Sequence, residues 1–100
     1  MIMEKFKEII QSEKPVLVDF FATWCGPCKA MRPILEKVRE DMGEQVRIVE
    51  IDVDKYDGTA LFYRIQMVPT FILFRKGEVL WRYSGVITGK ELKQAIEQYL

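Results

Sequence analysis

Trp24-Cys25-Gly26-Pro27-Cys28-Lys29 holds the only two cysteines of this 100-residue chain. Two intervening residues let both sulfurs share one helical turn, close enough to bond each other. The first is expected at the solvent edge, where a foreign disulfide can reach it. The same spacing serves zinc sites and structural disulfides. A structural zinc needs four Cys or His ligands, and with two cysteines and no histidine one protomer cannot close the shell; such a site would have to be shared between two protomers. A bridge over so short a loop removes little unfolded-state entropy and makes a poor staple. Redox exchange is the chemistry that fits. A second residue of interest is Asp19, a carboxylate inside the apolar run Val16-Leu17-Val18-Asp19-Phe20-Phe21-Ala22. Burying a charge there is expensive unless it is used, and desolvation would raise its pKa. In the other register Asp19 would simply face solvent.

The elements that must position these groups can be read from periodicity. Ile2, Phe6, Ile9 and Ile10 recur at helical spacing opposite Glu4, Lys5, Lys7 and Glu8, giving a short amphipathic helix that Lys14-Pro15 stops. The continuous apolar run from Val16 to Ala22 reads as a strand buried on both faces, central in its sheet. Met31, Ile34, Leu35, Val38 and Met42 mark a helix from Pro27 to a stop at Gly43, with Pro33 expected to kink it. Val46 to Val53 reads as a second buried strand. Asp57 to Ile65 reads as a short helix turning Ala60, Leu61 and Phe62 inward. Thr70 to Arg75 and Glu78 to Tyr83 flank Lys76-Gly77 as an antiparallel hairpin. Thr88 with Glu91 makes a capping-box pattern, opening a helix whose stripe is Leu92, Ala95, Ile96, Tyr99 and Leu100. The class is α/β: a central mixed sheet of about four strands with about four helices, in a single domain over residues 1–100.

Composition excludes several functions. Fifteen basic residues balance fifteen acidic ones, and the two halves differ little in charge, so nucleic acid and anionic membrane are poor partners. Residues 1–14 carry acids and bases throughout and resemble neither a signal segment nor a spanning helix. No glycine-rich phosphate loop is present, so no nicotinamide or flavin cofactor is expected, and no metal. A cytoplasmic location follows as the default, since a cysteine pair in a reducing compartment is more often catalytic than structural.

WCGPCK after an aspartate-bearing strand, Val68-Pro69-Thr70 before a hairpin, and Gly85 after it together resemble the thioredoxin family from Pro15 to Leu100. The resemblance implies that Cys25, at a helix N-terminus, is the nucleophile and that Cys28 resolves the mixed disulfide. Asp19 would relay a proton behind Cys28. Val68–Pro69 would be a cis bond offering the Val68 backbone to an extended substrate. Trp24, Gly26, Pro27, Val68, Pro69, Gly85 and Val86 would form the docking patch. Taken singly they are bland: Pro69 marks a strand start or edge, Trp24 a core aromatic, Gly85 a turn. The implied function is a protein-disulfide reductase acting on disulfide-containing proteins and recharged by a separate reductase, with Gly-Pro between the cysteines marking a reductant. The alternatives are a disulfide oxidant or isomerase, and a protein-binding module with incidental thiols. The chain departs from the family in two ways. The usual N-terminal strand is absent or a stub at Met1 to Met3, leaving Val46 to Val53 as an edge guarded by Arg47, Glu50 and Asp52; a monomer is expected, with an edge-paired dimer as the alternative. Glu50 also stands where many bacterial members carry lysine, and a like charge there would raise the Asp19 pKa further.

Overall fold

Successive residues of a strand point to opposite faces, and on Val16–Phe21 both faces are covered. The computed structural model describes residues 2–100, with side chains from Lys5 onward. It orders the elements as α1 (Ile2–Ile10), β1 (Val16–Phe21), α2 (Gly26–Met42), β2 (Arg47–Asp52), α3 (Asp57–Phe62), β3 (Thr70–Arg75), β4 (Glu78–Ser84) and α4 (Gly89–Glu97), with a 3-10 turn at Gly43–Gln45. The four strands lie in the order β2-β1-β3-β4. β1 pairs parallel with β2 and antiparallel with β3, so the sheet is mixed and β1 is central. Ile2 and Met3 are helical, and Met1 lies outside the described residues, so no N-terminal strand is found among the described residues.

Leu17, Phe71 and Leu73 meet Met31, Leu35, Val38, Leu92 and Ile96 of α2 and α4 on one face of the sheet. Val16, Val18, Phe20, Ile72 and Phe74 meet Phe6 and Ile10 of α1 on the other. This two-sided burial is why β1 and β3 read as unbroken apolar runs rather than alternating ones. Each fully buried leucine or phenylalanine contributes about 2 kcal/mol. Parity places Asp19 on the same face as Leu17, beneath α2.

The hairpin turns as its sequence requires. Lys76 (φ +52°) and Gly77 (φ +80°) both lie in the left-handed region, the signature of a two-residue turn that matches strand twist. Its tip is tied to α1, with the Lys76 N–H donating to the Ser12 carbonyl and the Gly77 N–H to that of Ile10, both at 2.9 Å. Thr88 caps α4 by accepting from the Glu91 N–H at 3.1 Å.

Four expectations need correction. Leu61 and Phe62 are not inward: they are 79% and 62% exposed, while Thr59 and Ala60 are the buried pair. The helix ends at Phe62, three residues early, because Arg64 takes φ +54°. Leu100 is exposed and lies beyond α4, which ends at Glu97. β2 is half-buried rather than buried, because no strand among the described residues pairs with its outer side. α2 continues as one helix through Pro33, which has no N–H to offer the Lys29 carbonyl.

The free side of β2 is partly closed by side chains. Arg47 and Val53 donate inward to the carbonyls of Pro15 and Phe21, so Ile48, Glu50 and Asp52 turn their pairing groups outward. The Ile48 carbonyl accepts from Arg39 Nη2 at 3.4 Å, and the Asp52 carbonyl accepts from the Tyr56 N–H at 2.9 Å. Arg39 reaches there from α2 while paired with Glu36.

Candidate redox site

Gly26-Pro27 begins α2 because proline sets the helical φ and has no N–H to leave unpaired at the first turn. Cys25 is the N-cap, with φ −86° and ψ 114°. Its sulfur accepts from the Cys28 N–H at 3.1 Å, taking the place of the usual oxygen cap. Cys25 and Cys28 are joined as a disulfide, with Cα atoms 5.2 Å apart. The expected contrast in accessibility is not found in this oxidised pair: Cys25 is 4% and Cys28 5% exposed. Both sulfurs tuck against Ala22, with Phe21, Val53 and Val68 packed around them. What separates the two is surroundings, since Cys25 Sγ lies 3.6 Å from the Val68 carbonyl oxygen. A sulfur at that position receives an N–H and the positive end of a 17-residue helix, a setting that favours thiolate over thiol.

Val68–Pro69 is cis. Pro69 is buried, and its carbonyl accepts from the Gly85 N–H at 2.8 Å, which ties the loop after β4 to the loop before β3. Gly85 sits at φ +109°, a conformation that disfavours any side chain. Val86 is half-exposed and Trp24 is 70% exposed, so Trp24 is not a core aromatic. Trp24 and Val68 line one shallow hollow of about 140 Å³ with Val53, Ile65, Gln66 and Met67. Gly26 and Pro27 are exposed beside the disulfide.

Asp19 is only 4% exposed, and its Oδ1 has no hydrogen-bond partner among the described residues. Burial pushes its pKa up to about 7; Glu50, its register partner on β2, pushes the same way, and Arg32 on α2 opposes them. The solvent-facing register for Asp19 is therefore excluded.

Two contributors escaped the sequence reading. Asp54 Oδ2 accepts from Trp24 Nε1 at 2.9 Å, fixing the indole that flanks the disulfide. Asp52 Oδ1 in turn accepts from the Asp54 N–H at 2.9 Å, so the turn that carries Asp54 is itself held. The Asp-Val-Asp-Lys run signals such a turn, but nothing in it names Trp24. Arg32 belongs by helical spacing to the polar face of α2, and nothing in the sequence points it toward Asp19.

The family model for thioredoxin matches residues 1–98. The chain belongs to the thioredoxin family. It is 48% identical over 96 residues to the chloroplastic thioredoxin Y of Oryza sativa subsp. japonica, covering 95% of this chain and 57% of that protein. It is 47% identical over 89 residues to a thioredoxin-like protein of Synechocystis sp., covering 89% of this chain and 85% of that one. Its fold superposes on oxidised mitochondrial thioredoxin 3 of Saccharomyces cerevisiae with a TM-score of 0.87 at 32% identity, covering 96% of this chain and 89% of that one. The chain spans a little over half the length of the plant relatives it matches. No helix among the described residues is long and apolar enough to cross a membrane.

Proposed function

We propose that this chain is a protein-disulfide reductase working by dithiol–disulfide exchange, with residues 1–100 acting as one domain. The observation that carries the reading is the Cys25–Cys28 pair at the head of α2, with the Cys28 N–H on the Cys25 sulfur. In the reduced protein the Cys25 thiolate attacks one sulfur of a substrate disulfide. A Cys25–substrate mixed disulfide forms and the other substrate sulfur leaves as thiolate. Cys28 then gives up its proton and attacks the Cys25 sulfur. The Cys25–Cys28 bond forms and the second substrate sulfur leaves, so the substrate gains the two electrons that the dithiol loses.

Asp19 is assigned the proton of Cys28. A carboxylate with a pKa near 7 can take a proton and return it at neutral pH. The Val68 carbonyl and the flat patch of Trp24, Gly26, Pro27, Pro69, Gly85 and Val86 are assigned to substrate, which would lie extended against the loop and be read largely through its backbone. Electrons return through a separate thioredoxin reductase-like donor. A reducing compartment, the cytoplasm by default, fits a chain whose motif contains Gly-Pro and no histidine.

The test is the Cys25–Cys28 reduction potential, measured by thiol trapping across a series of dithiol buffers. A value well below the cytosolic glutathione poise supports the reductase. A value near that of oxidising compartments would replace it with an oxidant or isomerase. Unchanged function after replacing both cysteines by serine would leave a binding module.

A further inference from the structure

The connector that carries the Val68 carbonyl, residues 63–69, is tied down by the edge strand β4. Arg82 pairs with Ile72 and Ser84 with Thr70 across the sheet. Cross-strand partners share a face, so both side chains lie on the face where Ile72 packs with Phe6, Tyr63 and Ile65. Arg82 Nη1 donates to the Tyr63 carbonyl and Nη2 to that of Arg64 at 2.7 Å. α3 has by then closed, with the Arg64 N–H on the Leu61 carbonyl and the Ile65 N–H on that of Ala60. That closure places Arg64 at φ +54° and leaves the next two carbonyls to the guanidinium. Ser84 acts one step removed. Thr70 is fully buried, and its hydroxyl donates to the Met67 carbonyl at 2.7 Å. A hydroxyl has one proton, so across the 2.8 Å contact between Thr70 Oγ1 and Ser84 Oγ the serine is the donor.

We propose that Arg82 and Ser84 are positioning residues for the exchange reaction, holding the connector so that the Val68 backbone keeps the orientation an extended substrate pairs with. The inference rests on the reductase reading. Met67–Val68 is a trans peptide, whose C=O and N–H point opposite ways. Holding the Met67 carbonyl on Thr70 therefore turns the Val68 N–H away from Thr70 and fixes the plane leading into the Val68 carbonyl, 3.6 Å from Cys25 Sγ. Arg82 fixes the start of the same connector, and the Gly85 N–H on the Pro69 carbonyl fixes its end. Arg82 and Ser84 are themselves exposed, so replacing either leaves the core packing alone. A connector released at one of these points samples other orientations, and an extended substrate must then order it on binding.

The experiment compares second-order rates for the pre-reduced protein with insulin and with bis(2-hydroxyethyl) disulfide, which has no backbone to pair with Val68, in wild type, Arg82→Met, Ser84→Ala, Ser84→Thr and Leu92→Ala. Arg82→Met is expected to slow insulin about fivefold, or about 1 kcal/mol at about 1.4 kcal/mol per tenfold change. Ser84→Ala is expected to slow it about threefold, and the small disulfide stays within twofold in both. Ser84→Thr keeps the hydroxyl and restores the insulin rate. Leu92→Ala weakens the fold on the opposite face of the sheet and keeps the ratio of the two rates. The losses persist at about 0.5 M salt, where surface charge is screened. An insulin rate unchanged in Arg82→Met or in Ser84→Ala, or a Ser84→Thr no faster than Ser84→Ala, overturns the proposal. So does a loss common to both disulfides, a loss that salt removes, or the same selective loss in Leu92→Ala. A wild type that reduces neither disulfide rejects the reductase reading itself, and this inference with it.

Discussion

Asp19→Asn should make the oxidised protein more stable, and increasingly so as pH rises. The carboxyl has a pKa of about 7 in the folded chain against an ordinary 3.8, so the folded state holds its proton more tightly than the unfolded one. Between those values the unfolded chain has lost a proton that the folded chain keeps. Stability therefore falls as pH rises from about 4 to about 7 and levels off above. At about 1.4 kcal/mol per pH unit the gap amounts to about 4 kcal/mol at pH 8, an upper bound because local rearrangement around the ionised carboxylate relaxes part of the penalty. Asparagine has nearly the same shape and no charge, so it removes the pH-dependent part and keeps the cost of a buried polar group. The assay is urea unfolding of the disulfide form at pH 4, 5, 6, 7 and 8, where neither cysteine titrates. Wild type and variant should agree closely at pH 4 and diverge by about 2–4 kcal/mol at pH 8. Parallel curves across the range would mean that Asp19 is not the buried ionising group, and the proton role assigned to it would lose its basis.

Arg39→Ala frees the outward carbonyl of Ile48 and should raise self-association through β2, read as a concentration-dependent rise in sedimentation coefficient; an unchanged monomer would show that Arg47, Glu50 and Asp52 suffice as guards. Leu92→Ala removes a fully buried side chain where α4 meets the sheet and should cost about 3 kcal/mol in urea unfolding with the exchange rate intact. Gly77→Ala forces a side chain onto φ +80°, against Gln11, and should cost about 1 kcal/mol or somewhat more, since the flexible glutamine can move but the backbone cannot. Cys28→Ser should halt exchange at the mixed disulfide, visible as a stable covalent adduct with insulin on non-reducing gels; free release of substrate would contradict the assigned order of attack.

The parts of the structure legible in the sequence are those where chemistry or periodicity had enough residues to speak. The dithiol was found because two cysteines without histidine leave few alternatives, and β1 because five neighbouring apolar residues surround one carboxylate. The hairpin was found because strand-forming runs flank Lys76-Gly77. Leu61 and Phe62 were misplaced for a physical reason: α3 has 6 residues, less than two turns, so its apolar residues do not define a phase. β2 looked buried because Val46, Ile48, Val49, Ile51 and Val53 are apolar, but a central strand requires a neighbour on both sides, and that depends on chain elsewhere. The Asp54–Trp24 bond crosses 30 residues of sequence and leaves no local trace. Arg32 looked like one more solvated charge, because its relation to Asp19 exists only once α2 is laid over β1.

That overlay gives α2 three duties in sequence along its length. Its N-terminus presents Cys25 and Cys28; one turn later Arg32 sets a positive charge against Asp19; two turns beyond that Arg39 covers the Ile48 carbonyl. The last two duties arise from the same open edge. Were another strand paired outside β2, the Ile48 carbonyl would need no arginine, and Glu50 would stand beside neighbouring chain rather than at an open margin. With the edge open, Glu50 is exposed beside the strand that carries a buried carboxylate, and its charge raises the Asp19 pKa while Arg32 lowers it. The two surface charges thus hold a buried proton site between them. Glu50→Gln should lower the pH at which the Asp19-linked loss of stability occurs, and Arg32→Gln should raise it. Arg39→Ala should leave that pH unchanged while altering association. A common response of all three variants would mean that the edge acts on Asp19 through general loosening of β2, and not through individual charges.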